Sequence, residues 1–349
     1  MTVAILGATG YTGLVLIRLL GRHPDVRQII PVTSSRPGLA LTEVDPGLSD
    51  AVLAKLTPTN GCLAPIETAV AARPDVVFAA LPHLASAQAC EPFFGTSLVI
   101  DLSADFRIKD HETFRSAYGR PPAYPDLLER AAYGLPEWRR GEIERADLIA
   151  NPGCYPTATL LALLPFVSAG CVRGSIVVNA LSGISGAGRK EQAMYLYSER
   201  TENANPYAPG LSHRHVPEIR AQLDEFSTSV GGRQALLFTP HLVPMRQGME
   251  VTSAIPLDRE RTDDEIEELF SNAYKSAPFV RVTRGRLPET RHVRNSNRCD
   301  ISWHGEGSTV LVFSVIDNLL KGASGQAVQN MNVRLGLDET AGIDLDGEF

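Results

Sequence analysis

The residue best placed to do chemistry is Cys154, in the segment Asn151-Pro152-Gly153-Cys154-Tyr155-Pro156-Thr157. An apolar run, Asp147 to Ala150, ends just before it, and a helical pattern runs from Thr157 to Phe166 after it. A thiol at a helix start meets the exposed N–H groups and the positive end of the helix dipole, both of which favour an anion. That setting lowers a thiol pKa and presents a nucleophilic thiolate. Pro156 suits the first helical turn, where its missing N–H costs nothing, and Pro152-Gly153 supplies the tight turn. Position alone also fits a small buried cysteine beside a loop, so the case rests on the rest of the chain.

A second site can be read at the N-terminus. Val3 to Leu6 is a short run of strand formers, and Gly7-Ala8-Thr9-Gly10-Tyr11-Thr12-Gly13 follows it, before the apolar Leu14 to Leu20. Strand, glycine loop and helix in this order match the dinucleotide fingerprint. Gly7 permits the turn, Gly10 lets a pyrophosphate approach the backbone, and Gly13 lets helix and strand pack closely. The phosphates then lie on a helix N-terminus. A further apolar run, Val26 to Val32, ends at Thr33-Ser34-Ser35-Arg36. An NAD site usually places Asp or Glu there for the ribose hydroxyls. Ser34, Ser35 and Arg36 instead suit a 2′-phosphate, so the expected cofactor is NADP(H).

These two sites need elements to hold them. With 349 residues the chain can build two domains with sizeable cores. Further apolar strands recur at Asp75 to Leu81 and Ser97 to Asp101, with a helical stretch near Ala85 to Phe93 between them. That alternation implies a parallel, doubly wound sheet with ligands beyond the strand ends, where Leu81-Pro82-His83 and Asp101 to Arg107 lie. From about residue 172 the pattern changes to longer strands with fewer helices: Val172 to Leu181, Gln234 to Pro240, Met249 to Ile255, Arg281 to Thr283 and Ser308 to Ile316. The expected fold is α/β: an N-terminal Rossmann-type NADP-binding domain with a second α+β mixed-sheet domain for substrate and dimerisation. The expected boundaries are 1–150 plus 317–349 for the first and 151–316 for the second. Asp317 to Asn332 is a glycine loop leading into a helix that returns to the first domain.

Charge and composition remove other classes. A net charge of −7 with no basic run argues against a nucleic-acid surface. No apolar stretch reaches membrane-spanning length and the chain opens directly on a strand, so a soluble, cytoplasmic protein is expected. Five cysteines (62, 90, 154, 171, 299) lack zinc-like spacing and suit a reducing compartment, and no metal is expected. The basic group Arg281 to Arg298 reads equally as a solvated loop or an interface.

The segment Ile149 to Pro165 resembles the active-site signature of the N-acetyl-γ-glutamyl-phosphate reductases, NADPH-dependent acyl-phosphate reductases of arginine biosynthesis. The resemblance extends in order through the glycine loop, Leu81-Pro82-His83, Asp101 to Arg107, Ser182 to Gly188, His213 to Ile219, Thr239 to Pro244 and Lys321 to Gln326. Two departures stand out: Leu84-Ala85 replaces the usual Gly-His, and Asn295 stands where glycine is common. The resemblance implies attack of the Cys154 thiolate on an acyl phosphate, then hydride transfer to the thioester to release N-acetylglutamate semialdehyde. Backbone N–H groups and the Asn151 side chain would stabilise the oxyanion. Related readings are a carrier-linked aminoadipyl-phosphate reductase of lysine biosynthesis, an aspartate-semialdehyde dehydrogenase and, outside enzymes, an NADP-sensing regulator.

That chemistry needs a base and cations. His215 is the favoured acid/base and His213 its rival, because Glu218 at i+3 would orient His215 on a helix. Arg107, just past a strand end, is expected to grip the phosphate. Arg189, Lys190 and Arg214 are further candidates for phosphate or carboxylate. Ser182, Gly183, Ser185 and Gly186 resemble a nicotinamide-side loop, with Asn318 and Lys321 approaching the cofactor. His23, His111, His241 and His304 are expected to be structural or surface groups. The expected partners are a small acyl phosphate and further copies of the chain, as a dimer or tetramer.

Overall fold

The computed structural model describes residues 1–189, 191–227 and 235–347. Two compact units form: residues 1–153 with 323–343, and residues 154–322 with the tail from Asp344. Residues 317–322, which the sequence pattern groups with the first domain, belong to the second unit.

The first unit is built on β1 (Thr2–Leu6), β2 (Gln28–Val32), β3 (Val76–Ala79), β4 (Leu98–Asp101), β5 (Ala132–Tyr133) and β6 (Leu148–Ala150). All pairings are parallel, in the order β2-β1-β3-β4-β6-β5. The order reverses at β1, the position where open parallel sheets bind ligands beyond their strand ends. Strands β3 and β4 are buried at every position, as expected of strands covered on both faces. Helix α1 (Tyr11–Arg22) follows β1 and buries Leu16, Ile17, Leu19 and Leu20, an i, i+3, i+4 stripe.

The second unit opens with α2 (Cys154–Ser168), which starts three residues earlier than the sequence pattern predicts. Thirteen of its 15 residues are buried and it is apolar all round, so it is a central helix rather than a surface one. Seven strands make a mixed sheet: β7 (Ile176–Ser182), β8 (Asn205–Pro206), β9 (Leu236–Leu242), β10 (Met249–Pro256), β11 (Val280–Val282), β12 (Cys299–Glu306) and β13 (Thr309–Ile316). Their order is β11-β12-β13-β10-β7-β9-β8. The sequence reading missed β12, whose Asp300, His304 and Glu306 break its apolar run. It also missed α4 (Asp263–Tyr274), which begins at a capping box between Thr262 and Glu265.

Helices α2, α3 (His215–Phe226) and α4 cover this unit, with α3 and α4 packed on α2 and α2 on β10 and β13. The strands alternate accordingly. On β7 and β9 the buried residues are Ile176, Val178, Ala180, Leu236, Phe238 and Leu242, whereas Val177 and Leu237 on the opposite face are 38% and 55% exposed. The Arg281 to Arg298 region is divided: residues 284–287 are exposed, whereas its two ends are tied down. Arg281 and Arg298 both pair with Asp300, and Arg298 Nη1 also holds the Leu345 carbonyl of the tail.

The first unit is completed by α5 (Gly325–Leu335), where Gln326 and Asn330 donate to the Gly134 carbonyl. No helix among the described residues is long and apolar enough to cross a membrane.

Candidate functional site

In the first unit the glycine loop is fixed by its neighbours. Gly7 and Ala8 both donate to the Val32 carbonyl, at 3.1 and 3.0 Å, which ties the loop to the end of β2. Gly7 is left-handed (φ +83°), and a Cβ there would meet the Ala80 carbonyl oxygen at 2.3 Å. A Cβ on Gly13 would meet Gly7 O at 2.4 Å and Ala8 Cα at 2.8 Å, so helix and strand pack at backbone distance. Gly10 differs: its Cβ would meet only Gly7 O at 3.6 Å. Gly10 is also the N-cap of α1, and no side chain caps that end. An open Cα face and a helix start without a side-chain cap fit a pyrophosphate. Thr9 and Thr12 are half-buried and Tyr11 is exposed around this end.

The end of β2 carries Thr33 Oγ1, which accepts the Ser35 N–H at 3.4 Å, with Ser34, Ser35 and Arg36 exposed beside it. No carboxylate occupies Thr33 to Arg36, and the residues present suit a 2′-phosphate. Past β3, Leu81 is half-buried and Pro82 exposed. The following loop is held by carboxylates: Asp105 accepts the Leu84 and Ala87 N–H groups at 2.6 and 3.0 Å. Asp101 accepts the Ser86 and Ser103 hydroxyls at 2.5 and 2.6 Å, and burial raises its pKa to about 6. Leu84 lies in the left-handed region (φ +67°), and so does Asn295 (φ +62°). Both departures from the resembled pattern therefore sit where glycine would be unstrained.

Two site expectations in this unit are corrected. Both Asn151 amide hydrogens go to carbonyls, Pro152 O at 3.4 Å and Ala323 O at 3.2 Å, while its Oδ1 accepts from Asn330 at 3.0 Å. Asn151 is thus a brace for the turn before Cys154, not a ready oxyanion donor. Arg107 is only 5% exposed; its Nε donates to Asn151 O and its Nη2 to Leu102 O, both at 2.8 Å. A buried guanidinium spent on carbonyls holds the backbone of that turn, which the sequence could not distinguish from an open anion grip.

In the second unit Cys154 is the first residue of α2 and is half-buried. A Cβ on Gly322 would meet Cys154 Cβ at 2.7 Å, so only glycine lets the returning backbone lie against the thiol-bearing residue. Tyr155 anchors an aromatic cluster. Its ring lies edge-on to His213 at 5.2 Å, His215 at 5.9 Å and Phe238 at 5.5 Å, and its hydroxyl bonds that of Tyr207 at 2.9 Å. Burial pushes the Tyr155 phenol far up and that of Tyr207 to about 12, so both stay neutral. Neither tyrosine was singled out from the sequence; the only signal was the adjacency of Tyr155 to the thiol.

The two histidines separate in role. His213 is buried, and its Nδ1 accepts the His215 N–H at 3.2 Å, so the neutral ring carries its proton on Nε2. Burial, then the Arg214 charge, lower its pKa to about 4. His215 opens α3, the helix packed on α2. Glu218, one turn further along α3, is 0% exposed. Arg214 is exposed beside the pair, and Arg189 is exposed at the end of the Ser182 loop. Lys190 lies outside the described residues.

The Ser182 loop forms one piece with Asn318. Asn318 Nδ2 donates to Ser185 Oγ at 3.0 Å, and its Oδ1 accepts the Gly248 N–H at 2.7 Å. Gly183 abuts Gln247 N, and Gly186 faces Ser182 Oγ. Asp317 supports the loop by accepting from Gln247, Asn295, Leu319 and Leu320. Lys321 departs from expectation: it is fully buried in a π-helical turn, its Nζ 5.7 Å from the Phe279 ring centroid. Among the described residues, no group of three or more His, Cys, Asp or Glu could hold a metal ion.

Comparison with known proteins agrees with this geometry. The semialdehyde dehydrogenase NAD binding domain matches residues 2–146, and the semialdehyde dehydrogenase dimerisation domain matches 154–318. The N-acetyl-gamma-glutamyl-phosphate reductase of Shouchella clausii is 43% identical, covering 99% of this chain and 98% of its own. That of Pseudomonas fluorescens is 45% identical with the same coverage, and that of Methanopyrus kandleri is 43% identical over 99% of both. Among solved structures, aspartate semialdehyde dehydrogenase II of Vibrio cholerae shares the fold (TM-score 0.71) at 18% identity, covering 96% of this chain and 98% of that one. The enzyme of Candida albicans, solved with NADP, gives a TM-score of 0.69 at 15% identity, covering 95% and 97%. Full-length identity at this level, with both domains matched, places the chain in the N-acetyl-gamma-glutamyl-phosphate reductase family.

Proposed function

We propose that this chain reduces N-acetyl-γ-glutamyl phosphate to N-acetylglutamate 5-semialdehyde and phosphate with NADPH, through a thioester on Cys154. The observation that carries the reading is a half-buried thiol on the first residue of a buried helix, beside a cluster of histidine and tyrosine rings. The helix end favours the thiolate. His215 takes the thiol proton as Sγ attacks the γ-carbonyl. The C–O bond to phosphate breaks, and the same imidazole can return the proton to the departing phosphate.

The oxyanion falls to backbone N–H groups at the start of α2, each worth roughly 3 kcal/mol to such a transition state. Bound NADPH supplies the hydride that reduces the thioester carbon. The hemithioacetal alkoxide then releases the aldehyde and expels Sγ as thiolate, and one proton taken up from solvent restores the starting thiol and imidazole. His213 keeps His215 in place through its Nδ1, and Asn151 and Arg107 hold the turn before the thiol.

Gly7, Thr9, Gly10, Tyr11, Thr12 and Gly13 would hold the pyrophosphate, and Ser34, Ser35 and Arg36 the 2′-phosphate. The nucleotide role thus belongs to the first unit and the thiol and dimerisation roles to the second. The uncovered face of the second sheet, with Val177 and Leu237 outward, supports a homodimer formed through that face. The expected place of work is the cytoplasm.

The test is the reverse reaction: phosphate-dependent reduction of NADP by N-acetylglutamate semialdehyde, in wild type and Cys154→Ala. Activity that needs phosphate, prefers NADP and vanishes in the variant supports the reading. Turnover of a carrier-linked aminoadipate semialdehyde alone moves the substrate while keeping the mechanism. Activity retained without Cys154 overturns the covalent route.

A further inference from the structure

We propose that Arg200 binds the α-carboxylate of the acyl-phosphate substrate, a role that rests on the reading above. Arg200 ends the single helical turn Tyr197–Arg200 and is 7% exposed. Its Nη1 donates to Asn205 Oδ1 at 2.7 Å. Its Nε is sealed from water and has no hydrogen-bond partner among the described residues. No carboxylate pairs with it there, although the other strongly buried arginines among the described residues, Arg107 and Arg139, are bonded to carbonyls or to a carboxylate. A guanidinium cannot neutralise itself by losing a proton. A buried one with a single amide partner is therefore a standing demand for an anion.

The strand register says where that anion would lie. Asn205 on β8 is opposite Leu242 on β9, which is opposite Ser182 on β7. Directly opposed residues share a face, and Leu242 and Ser182 point to the buried one. Asn205 therefore presents Arg200 on the side of the sheet that α2 and α3 cover. Two residues on, Tyr207 bonds Tyr155, the residue after Cys154. The residue that holds Arg200 is thus two positions from the tyrosine bonded to the neighbour of Cys154.

The substrate has two anionic groups. Its phosphate is attached to the carbon that Cys154 attacks, and Arg214 is the cation whose charge acts on both His213 and Tyr207. The carboxylate is at the other end of the side chain, which matches a cation held one residue-pair further out. Planar Nε and Nη donors suit a carboxylate bidentately.

Steady-state kinetics of the reverse reaction test this, using N-acetylglutamate semialdehyde and 4-acetamidobutanal, the same aldehyde without its carboxylate. In Arg200→Met the KM for the carboxylated aldehyde is expected to rise at least tenfold. The KM values for 4-acetamidobutanal and phosphate should stay within twofold, and Arg200→Lys should retain part of the preference. Melting temperature and NADPH binding report folding; should the Met variant unfold, the Lys variant alone must show a selective rise. Unchanged discrimination, equal loss on both aldehydes, or a shift confined to phosphate KM overturns the assignment. A wild type inactive on the carboxylated aldehyde removes the function itself, whereas an active one with indifferent Arg200 variants removes only this inference.

Discussion

Two helix starts in this chain follow the same local grammar and end in different chemistry. At β1–α1 and at β6–α2, a buried strand runs into a glycine-containing turn and then a helix N-terminus. Both ends carry the same partial positive charge. At α1 the first residue is exposed and Gly10 leaves the backbone open, so the end can take an anion from outside. At α2 the first residue is Cys154, whose side chain occupies the helix start, and the turn before it is braced by Asn151 and Arg107. The helices behind them differ too: α1 buries one stripe, and α2 is buried on all sides. On the proposed function, the same electrostatics would serve binding in one place and catalysis in the other, with the side chains around each end deciding which.

The largest effect should come from removing the anion at α2. Cys154→Ala should lower kcat by at least about 10³-fold. NADPH affinity, measured by fluorescence titration, should stay unchanged. Loss of cofactor binding in that variant would mean the two helix starts do not act separately.

His213 tests the support behind α2. Its folded pKa of about 4 lies below the unfolded 6.5, so the unfolded state binds more protons between those values. Stability should therefore fall as pH drops from 6.5 toward 4, by up to about 3 kcal/mol from this group. Urea melts of wild type and His213→Gln across that range should differ in slope, the variant being flatter. Identical slopes would show that the ring is not buried neutral.

The two glycines of α1 should separate packing from binding. Gly13→Ala forces a Cβ against Gly7 O at 2.4 Å and should cost about 1–3 kcal/mol of stability. Gly10→Ala has room in the protein alone, its nearest contact at 3.6 Å, so the melting temperature should hold. Its KM for NADPH should rise about tenfold, the equivalent of about 1.4 kcal/mol. A destabilised Gly10→Ala or an unaffected KM would refute the division.

The smallest effect belongs to a helix end without chemistry. Arg73 caps the helix Ile66–Ala72 in the left-handed region, φ +47°, and is exposed. Arg73→Gly should stabilise by about 0.5–1 kcal/mol, seen as a small rise in melting temperature with kinetics unchanged.

Much of this was legible in the chain. The glycine loop, the strand ends and the Cys154 turn are local: their meaning depends on residues within a few positions, and periodicity carries it. The position of α2 was legible to within three residues, because Pro156 and the apolar run after it mark a helix start. The strand β12 was not legible, since its polar residues are balanced by partners distant in sequence, such as Arg281 for Asp300.

From its sequence alone this protein has a nucleotide-binding half, a cysteine at a helix start and a histidine pair in the second half. Those depend on local backbone geometry and on residue type, which the sequence states directly. Only tertiary structure decided which polar side chains are already spent. It turned Asn151 and Arg107 into braces, buried Lys321 and Glu218, assigned the His213 proton to Nε2, and left the Arg200 Nε buried with no partner among the described residues. A hydrogen bond's second partner, and the water it excludes, are set by which distant segments meet, and no local pattern encodes that.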